Sequence, residues 1–148
     1  MSDVSRREGY GFLEHTTDAL IEAWSPTLER AFGQAGRALF DTMLHIENVA
    51  PSLRHNVSVS GYDEKELLYN WLEELLLRFE LRSMAYSVFI VTSIVQNAEM
   101  FELVADIQGE RYDRDKHGSK TEVKGVTYHL MEITKSSDQV RLRFLLDL

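Results

Sequence analysis

A group of polar side chains comes just before the first apolar stretch of the chain: Glu14, His15, Thr16, Thr17 and Asp18. Carboxylate, imidazole and hydroxyl groups at this spacing could form a metal-binding or catalytic corner. An ordinary turn explains the same residues, because Thr and Asp side chains accept hydrogen bonds from nearby backbone N–H groups. The local sequence favours the turn and does not exclude a metal-binding or catalytic site.

A second acidic group stands at the other end of the sequence. Alternate residues of 140–148 form an apolar row, and Asp147 falls on the opposite face at the end of this predicted strand. A frayed acidic terminus is the ordinary interpretation, although the mainly apolar final residues favour an end that is held against a core. Asp147 and a backbone or terminal oxygen of Leu148 would then be available as ligands.

Asp18 and Asp147 could meet if their two strands are neighbours in a sheet. Such a site would be anionic and built from oxygen atoms alone. It suits hard cations such as Ca²⁺, Mg²⁺ or Mn²⁺ rather than zinc, which prefers His and Cys ligands. Sequence spacing cannot show whether the two strands lie side by side.

A third group of charged residues lies within and just after a long polar connection. This connection, residues 109–121, has almost no apolar side chain. Connections of about 12 residues or more are usually functional or mobile. Lys116 and His117 lie within it, and Glu122 and Lys124 follow it. The basic residues could hold positive charge near an anionic site or a partner's nucleotide, or they could be a solvated charge run that protects a hairpin edge.

Hydrophobic periodicity predicts the elements that must position these groups. Ser25 before Pro26 predicts one helix start, and Asp63 with Glu66 three positions later predicts another. The predicted elements are a strand over 19–24, a helix from 25 to about 43, a strand over 53–60, a helix from 63 to about 82, and strands over 86–95, 101–107, 126–134 and 139–148.

The order βαβαββββ predicts an α+β fold, because two helices cannot cover both faces of a large sheet. We expect a two-layer domain with both helices on one face of a mostly antiparallel sheet. Residues 1–9 are predicted to form a flexible tail, and residues 10–148 a single domain. A chain of this length suits one domain.

Composition excludes several classes of function. The chain has 148 residues, a net charge of −8 and no cysteine, which excludes a disulfide scaffold, a zinc ribbon and thiol catalysis. The acidic balance argues against direct RNA binding through bulk charge. No apolar stretch approaches the ~20 residues of a membrane span, and no signal peptide is visible. We therefore expect a soluble, cytoplasmic protein.

Five collinear segments between residues 10 and 148 resemble the archease family. Residues 10–18 are similar to its entry motif F-x-x-H-T-A-D, with Thr17 in place of a common alanine. Residues 25–40 and 67–79 resemble the two helices of the family. Residues 116–128 resemble its K-H…TEVKAITY segment, and residues 145–148 resemble its V-D-I ending.

This resemblance implies a protein cofactor rather than an enzyme. Archeases activate the RtcB-type RNA ligase, which joins RNA ends in tRNA splicing and RNA repair with GTP and Mn²⁺. The archease promotes guanylylation of the ligase and allows multiple turnovers. By this resemblance the partner is the ligase, and RNA is contacted only indirectly.

The resemblance also implies roles for individual residues. The family's metal site falls on Asp18, Asp147 and Leu148, with calcium as the first expectation and manganese or magnesium as alternatives. Its residue for partner activation falls on Lys124. The charged groups described above offer possible supporting residues at four further positions: His15, Lys116, His117 and Glu122.

Three alternatives stay open. An older view of the family implies a chaperone-like modulator of a tRNA methyltransferase. A metal-dependent hydrolase or phosphotransferase could be built from His15, Asp18 and Asp147. A plain assembly chaperone would need no metal at all.

Overall fold

The computed structural model describes residues 7–15 and 17–148. Its elements are β1 (Gly9–Leu13), β2 (Ala19–Ser25), α1 (Leu28–Met43), a 3₁₀ turn (Ile46–Asn48), β3 (Leu53–Gly61), α2 (Glu64–Arg82), β4 (Met84–Asn97), β5 (Met100–Arg111), α3 (Arg114–His117), β6 (Gly125–Lys135) and β7 (Val140–Asp147). Of the tail predicted over residues 1–9, residues 1–6 lie outside the described part of the chain, and Gly9 begins β1.

The strands form two antiparallel sheets. One has four strands in the order β1-β2-β7-β6, and the other has three strands in the order β3-β5-β4. In the four-stranded sheet, the first and last parts of the chain are neighbours, with Ile21 opposite Phe144. The sheet therefore brings residues from both ends of the sequence to the same place.

The two long helices, α1 and α2, each begin with a side-chain cap. Asp63 accepts a hydrogen bond from the backbone N–H of Glu66 at 2.8 Å, which confirms the predicted start of α2. The cap of α1 is Thr27, whose hydroxyl accepts from the backbone N–H of Arg30 at 3.2 Å. The prediction of Ser25 as this cap is wrong, because Ser25 is the fully buried last residue of β2.

The core lies where the two helices pack on both sheets. Helix α1 packs mainly against β4 and β2, and α2 mainly against β3 and β6. Trp71 of α2 donates its indole N–H to the carbonyl oxygen of Phe32 in α1 at 2.9 Å. Both residues are fully buried, and burying a large apolar side chain contributes about 1.5–3 kcal/mol.

The predicted α+β class with antiparallel strands is confirmed. The structure divides the strands into two sheets where the sequence predicts one, and it adds β1 at the start. Periodicity shows which face of a strand is buried, but it does not show which strands pair. The β1 segment GYGFL has two glycines in five residues and lacks a clear alternation.

The charged connection is displaced by three residues from the predicted one, because β5 continues to Arg111 and β6 begins at Gly125, and residues 114–117 within it form α3. We call residues 112–124 the linking segment. Gly109 belongs to the central strand of its sheet, where a Cβ atom would lie 1.9 Å from the carbonyl oxygen of Ala85. Glycine is required there by this close approach of two backbones.

Candidate functional site

Three strands of the four-stranded sheet begin or end at one place. Ala19 of β2 lies opposite Leu146 of β7, so the next position along this register places Asp18 opposite Asp147. Residues directly opposite in an antiparallel pair point to the same face, with Cβ atoms about 4.5–5.5 Å apart. The register therefore brings the two predicted aspartates to the same end of the sheet, one position beyond the Ala19–Leu146 pair.

Lys124 is attached to the same strand end. Its backbone N–H donates to the carbonyl oxygen of Asp147 at 2.7 Å, and Gly125 lies opposite Asp147 in the β6–β7 ladder. The side chains of Lys124 and Asp147 are exposed. A positive group and a negative group thus face solvent beside each other.

His15 lies at this end as well, in the connection between β1 and β2. Its Nδ1 is 4.0 Å from Oδ2 of Asp18, which is too long for a hydrogen bond. Thr16, between them in the motif, lies outside the described residues. We call His15, Asp18, Lys124, Asp147 and Leu148 the strand-end site.

The donor atoms of the strand-end site suit a hard divalent cation, because they are carboxylate and main-chain oxygens. Within residues 7–15 and 17–148, no group of three or more His, Cys, Asp or Glu side chains could hold a metal ion. Asp18 and Asp147 would therefore need main-chain oxygens or water to complete the coordination. The side chain of Leu148 packs against the core, which holds its main chain beside Asp147.

Two of the predicted supporting residues contact a carboxylate that sequence reasoning missed. Oε2 of Glu110 accepts from Lys116 Nζ at 2.7 Å, from His117 Nε2 at 2.8 Å and from the backbone N–H of Ala50 at 2.9 Å. The hydrogen bond from Lys116, followed by those from Ala50 and His117, lowers the pKa of Glu110 to about 2.

His117 is fully buried, so the interpretation of a solvated charge run is wrong for this residue. Its Nδ1 accepts from the backbone N–H of Asp113 at 2.9 Å. This bond assigns the ring proton to Nε2, which donates to Glu110. His117 therefore closes the turn of α3 and attaches it to β5.

The chain is similar to known proteins over most of its length. Residues 10–148 match the model of the Archease protein family (MTH1598/TM1083). The chain belongs to the archease family. It is 37% identical over 139 residues to the archease of Pyrobaculum islandicum, covering 93% of this chain and 94% of that protein. It is 38% identical over 125 residues to the archease of Pyrococcus abyssi, covering 84% and 87%.

Solved structures show the same archease fold. The solution structure of Methanobacterium thermoautotrophicum protein 1598 matches with a TM-score of 0.80 and 30% identity, over 95% of this chain and 99% of that one. The crystal structure of an archease from Thermotoga maritima, described as a possible chaperone, matches with a TM-score of 0.57. At 14% identity over 92% and 94% of the two chains, it shows the fold alone.

In this archease a second missed carboxylate, Asp41 of α1, holds the later part of the linking segment. Lys120 Nζ donates to the Asp41 carbonyl oxygen at 2.6 Å and lies 3.2 Å from its Oδ1. Tyr10 donates its hydroxyl to Oδ2 of Asp41 at 3.0 Å. Burial, together with the Asp41 carboxylate, raises the pKa of Tyr10 to about 12. Neither Asp41 nor Glu110 stands in a recognisable motif, so no local signal indicates them.

Glu122 lies on the wall of an open cavity of about 640 Å³. Phe79, Tyr112 and Arg114 are also on this wall. The Glu122 side chain is exposed, and it precedes Lys124 by two residues. Among the described residues, no helix is both long and apolar enough to cross a membrane.

Proposed function

We propose that this protein is a non-enzymatic cofactor that activates an RtcB-type RNA ligase in tRNA splicing or RNA repair in the cytoplasm. It promotes guanylylation of the ligase and multiple turnover. Membership of the archease family supports the class of partner. The observation that carries the proposal is the register that places Asp18 opposite Asp147, with Lys124 bonded to the Asp147 backbone.

Each residue of the strand-end site has a role in this proposal. Asp18 and Asp147, with a main-chain oxygen of Leu148, would hold a divalent cation, with calcium first and manganese or magnesium as alternatives. Such an ion supplies positive charge for phosphate oxygens when it is bound. The Lys124 ammonium group donates to phosphate oxygens of the partner's nucleotide and neutralises their charge. Covalent chemistry is left to the ligase.

Exposure of the site supports docking rather than independent catalysis. The side chains of Asp147 and Lys124 face solvent at the end of a sheet, where another protein can enclose them. Enclosure excludes water and strengthens the interaction between these charges and a nucleotide. The rigid sheet beneath the site holds the charges in place before the partner arrives.

The test is a guanylylation and ligation assay of the cognate ligase. We expect Asp18→Ala, Asp147→Ala and Lys124→Ala to fold normally and to lose stimulation. The matched controls are Asp138→Ala, in the turn at the opposite end of β7, and Lys65→Ala, on the exposed face of α2. Both controls keep full stimulation. Full stimulation by all three site variants would contradict the proposal.

A second candidate is a chaperone-like modulator of a tRNA methyltransferase. It is favoured by the description of the Thermotoga maritima archease as a possible chaperone. This function predicts that the protein changes the solubility or product specificity of the methyltransferase, and that Lys124→Ala has no effect. A turnover assay of the isolated protein with Mn²⁺ or Mg²⁺ tests the remaining alternative, a hydrolase built from His15, Asp18 and Asp147.

A further inference from the structure

Strand β6, at the edge of the four-stranded sheet, carries a large bulge. Thr127 lies opposite Leu145, and Glu132 lies opposite Arg143, so β6 advances by five residues where β7 advances by two. The extra residues leave the ladder. Leu130 within the bulge has a φ of 60°, in the left-handed region that bulky residues rarely adopt. Such conformations persist where the surrounding structure holds them, and they are concentrated at functional sites.

The bulge presents a flat aromatic surface. The ring of Tyr128 stacks on that of Tyr69 in α2, with centroids 4.5 Å apart and planes inclined by 8°. Tyr128 is 50% exposed and Leu130 is 44% exposed. One face of the Tyr128 ring is covered by Tyr69, so the opposite face is open to a ligand. We call Tyr69 and Tyr128 the tyrosine platform.

Carboxylates of α2 and of its cap residue Asp63 lie near the tyrosine platform. Burial raises the pKa of Tyr128, and the negative charges of Glu66, Asp63 and Glu73 raise it further. Interaction with the Glu73 side chain, followed by burial, raises the pKa of Tyr69. The platform is therefore an aromatic face in a negative field.

We infer that the tyrosine platform binds an arginine side chain from a basic segment of the partner protein. A guanidinium group is planar, so it can stack on the open face of Tyr128 and still donate to a carboxylate beside it. Single-stranded RNA also stacks on tyrosine. Its phosphates would be repelled by Asp63, Glu66 and Glu73, and by a chain whose net charge is −8.

The platform lies near the strand-end site along β6. Tyr128 follows Gly125 by three residues on β6, and Gly125 lies opposite Asp147. At about 3.3 Å per residue, the platform lies roughly 10 Å along the strand from the strand-end site. Tyr128 contacts α2 on the core side of the sheet, whereas Asp147 is on the other face. One protein therefore reaches both by extending around the edge strand β6, and this inference rests on the proposed function for the identity of that protein as the ligase.

The experiment separates binding from activation. The ligase is titrated with each variant to obtain both a Kd and the stimulated guanylylation rate at saturation. We expect Tyr128→Ala to raise the Kd at least ten-fold and to leave the saturated rate unchanged. Tyr128→Phe, which keeps the ring, stays within two-fold of the wild type. Glu73→Gln weakens binding and lowers its dependence on salt.

The outcomes are distinct. An unchanged Kd for Tyr128→Ala, with normal stimulation by the wild type, would overturn this inference and leave the proposed function standing. Binding of a short single-stranded RNA by the wild type but not by Tyr128→Ala, with the ligase absent, would also overturn it. A wild type that neither binds nor stimulates the ligase would refute the proposed function and the inference with it.

Discussion

The backbone N–H of Lys124 donates to the carbonyl oxygen of Asp147 at 2.7 Å, across the start of β6 and the end of β7. This bond attaches the end of the linking segment to the strand that carries a proposed metal ligand. It uses main-chain atoms only. The side chain of Lys124 is exposed and free to contact a partner, so its loss need not disturb the site beneath it.

Two substitutions of Lys124 should distinguish the role of its side chain from the role of its backbone N–H. Lys124→Ala is expected to change the free energy of unfolding by less than about 0.5 kcal/mol, as surface substitutions usually do. It should bind Ca²⁺ at least as tightly as the wild type, because one positive charge near the cation is gone. Lys124→Pro removes the donor and should cost about 1–3 kcal/mol. Urea unfolding measures the stability of both variants, and calorimetric titration measures their Ca²⁺ affinity. A ten-fold loss of Ca²⁺ affinity in Lys124→Ala would contradict the prediction that its side chain does not support the metal site.

Calcium should stabilise the folded protein through Asp18. A ligand that binds only the folded state at 100 times its Kd adds about 2.7 kcal/mol. For a chain of this size, that raises the Tm by roughly 5–10 °C. Asp18→Asn should abolish the increase, whereas Asp138→Asn, in the turn at the far end of β7, should retain it. The measurement is thermal unfolding with Ca²⁺ and with EDTA; identical wild-type Tm values in the two would exclude a calcium site.

Protonation of Glu110 at low pH should weaken its contacts with Lys116 and His117 in the linking segment. The folded-state pKa of this carboxyl is lowered to about 2, below the value of about 4.3 in an unfolded chain. The folded state therefore binds fewer protons between these values, so the stabilisation is complete above about pH 4.3 and is lost as the pH falls towards 2. Glu110→Gln should be less stable than the wild type at pH 6, and the difference should shrink at pH 3.

The control for this prediction is Glu102→Gln, an exposed residue of the same strand. It should follow the wild type at every pH. Unfolding by urea across pH 2–6 gives the comparison. If Glu110→Gln and Glu102→Gln behaved alike, the contacts of Glu110 with Lys116 and His117 would not stabilise the fold.

Two glycines should respond in opposite ways to alanine. A Cβ atom at Gly109 would lie 1.9 Å from the carbonyl oxygen of Ala85, a backbone atom that cannot move without breaking the β4–β5 pairing. Gly109→Ala should cost roughly 3 kcal/mol or prevent folding. At Gly125 a Cβ atom would have nothing within 4 Å, and the archease pattern has alanine there. Gly125→Ala should be neutral in urea unfolding, and equal costs for the two would contradict the close approach at Gly109.

Local pattern predicted the long elements well. Helix α2 begins at its predicted cap and ends at Arg82, because the cap and the apolar stripe are both properties of neighbouring residues. The alternation in β7 is confirmed from Val140 to Phe144, whereas Leu145, predicted on the opposite face, is buried as well, and Asp147 is exposed. Such patterns show which face of an element is buried, because the buried face requires apolar residues along the whole length of the element.

The contacts of the linking segment could not be predicted in this way. Lys116 and His117 contact Glu110, and Lys120 contacts Asp41, which lies 79 positions earlier. The sequence predicts a charged connection here and offers no partner for any of its charges. Strand β5 continues beyond its predicted end, and its residue Glu110 contacts the buried His117. The spacing of residues in the sequence does not indicate this contact.

By itself, the sequence determined the helices, most of the strands, the acidic character of both chain ends and the resemblance to archeases. Only the tertiary structure decided that β2 and β7 are neighbours in a register that places Asp18 opposite Asp147, and that Lys124 joins them. The physical reason is that periodicity arises from local burial. The pairing of distant strands is selected by the packing of the whole core, to which every element contributes at once.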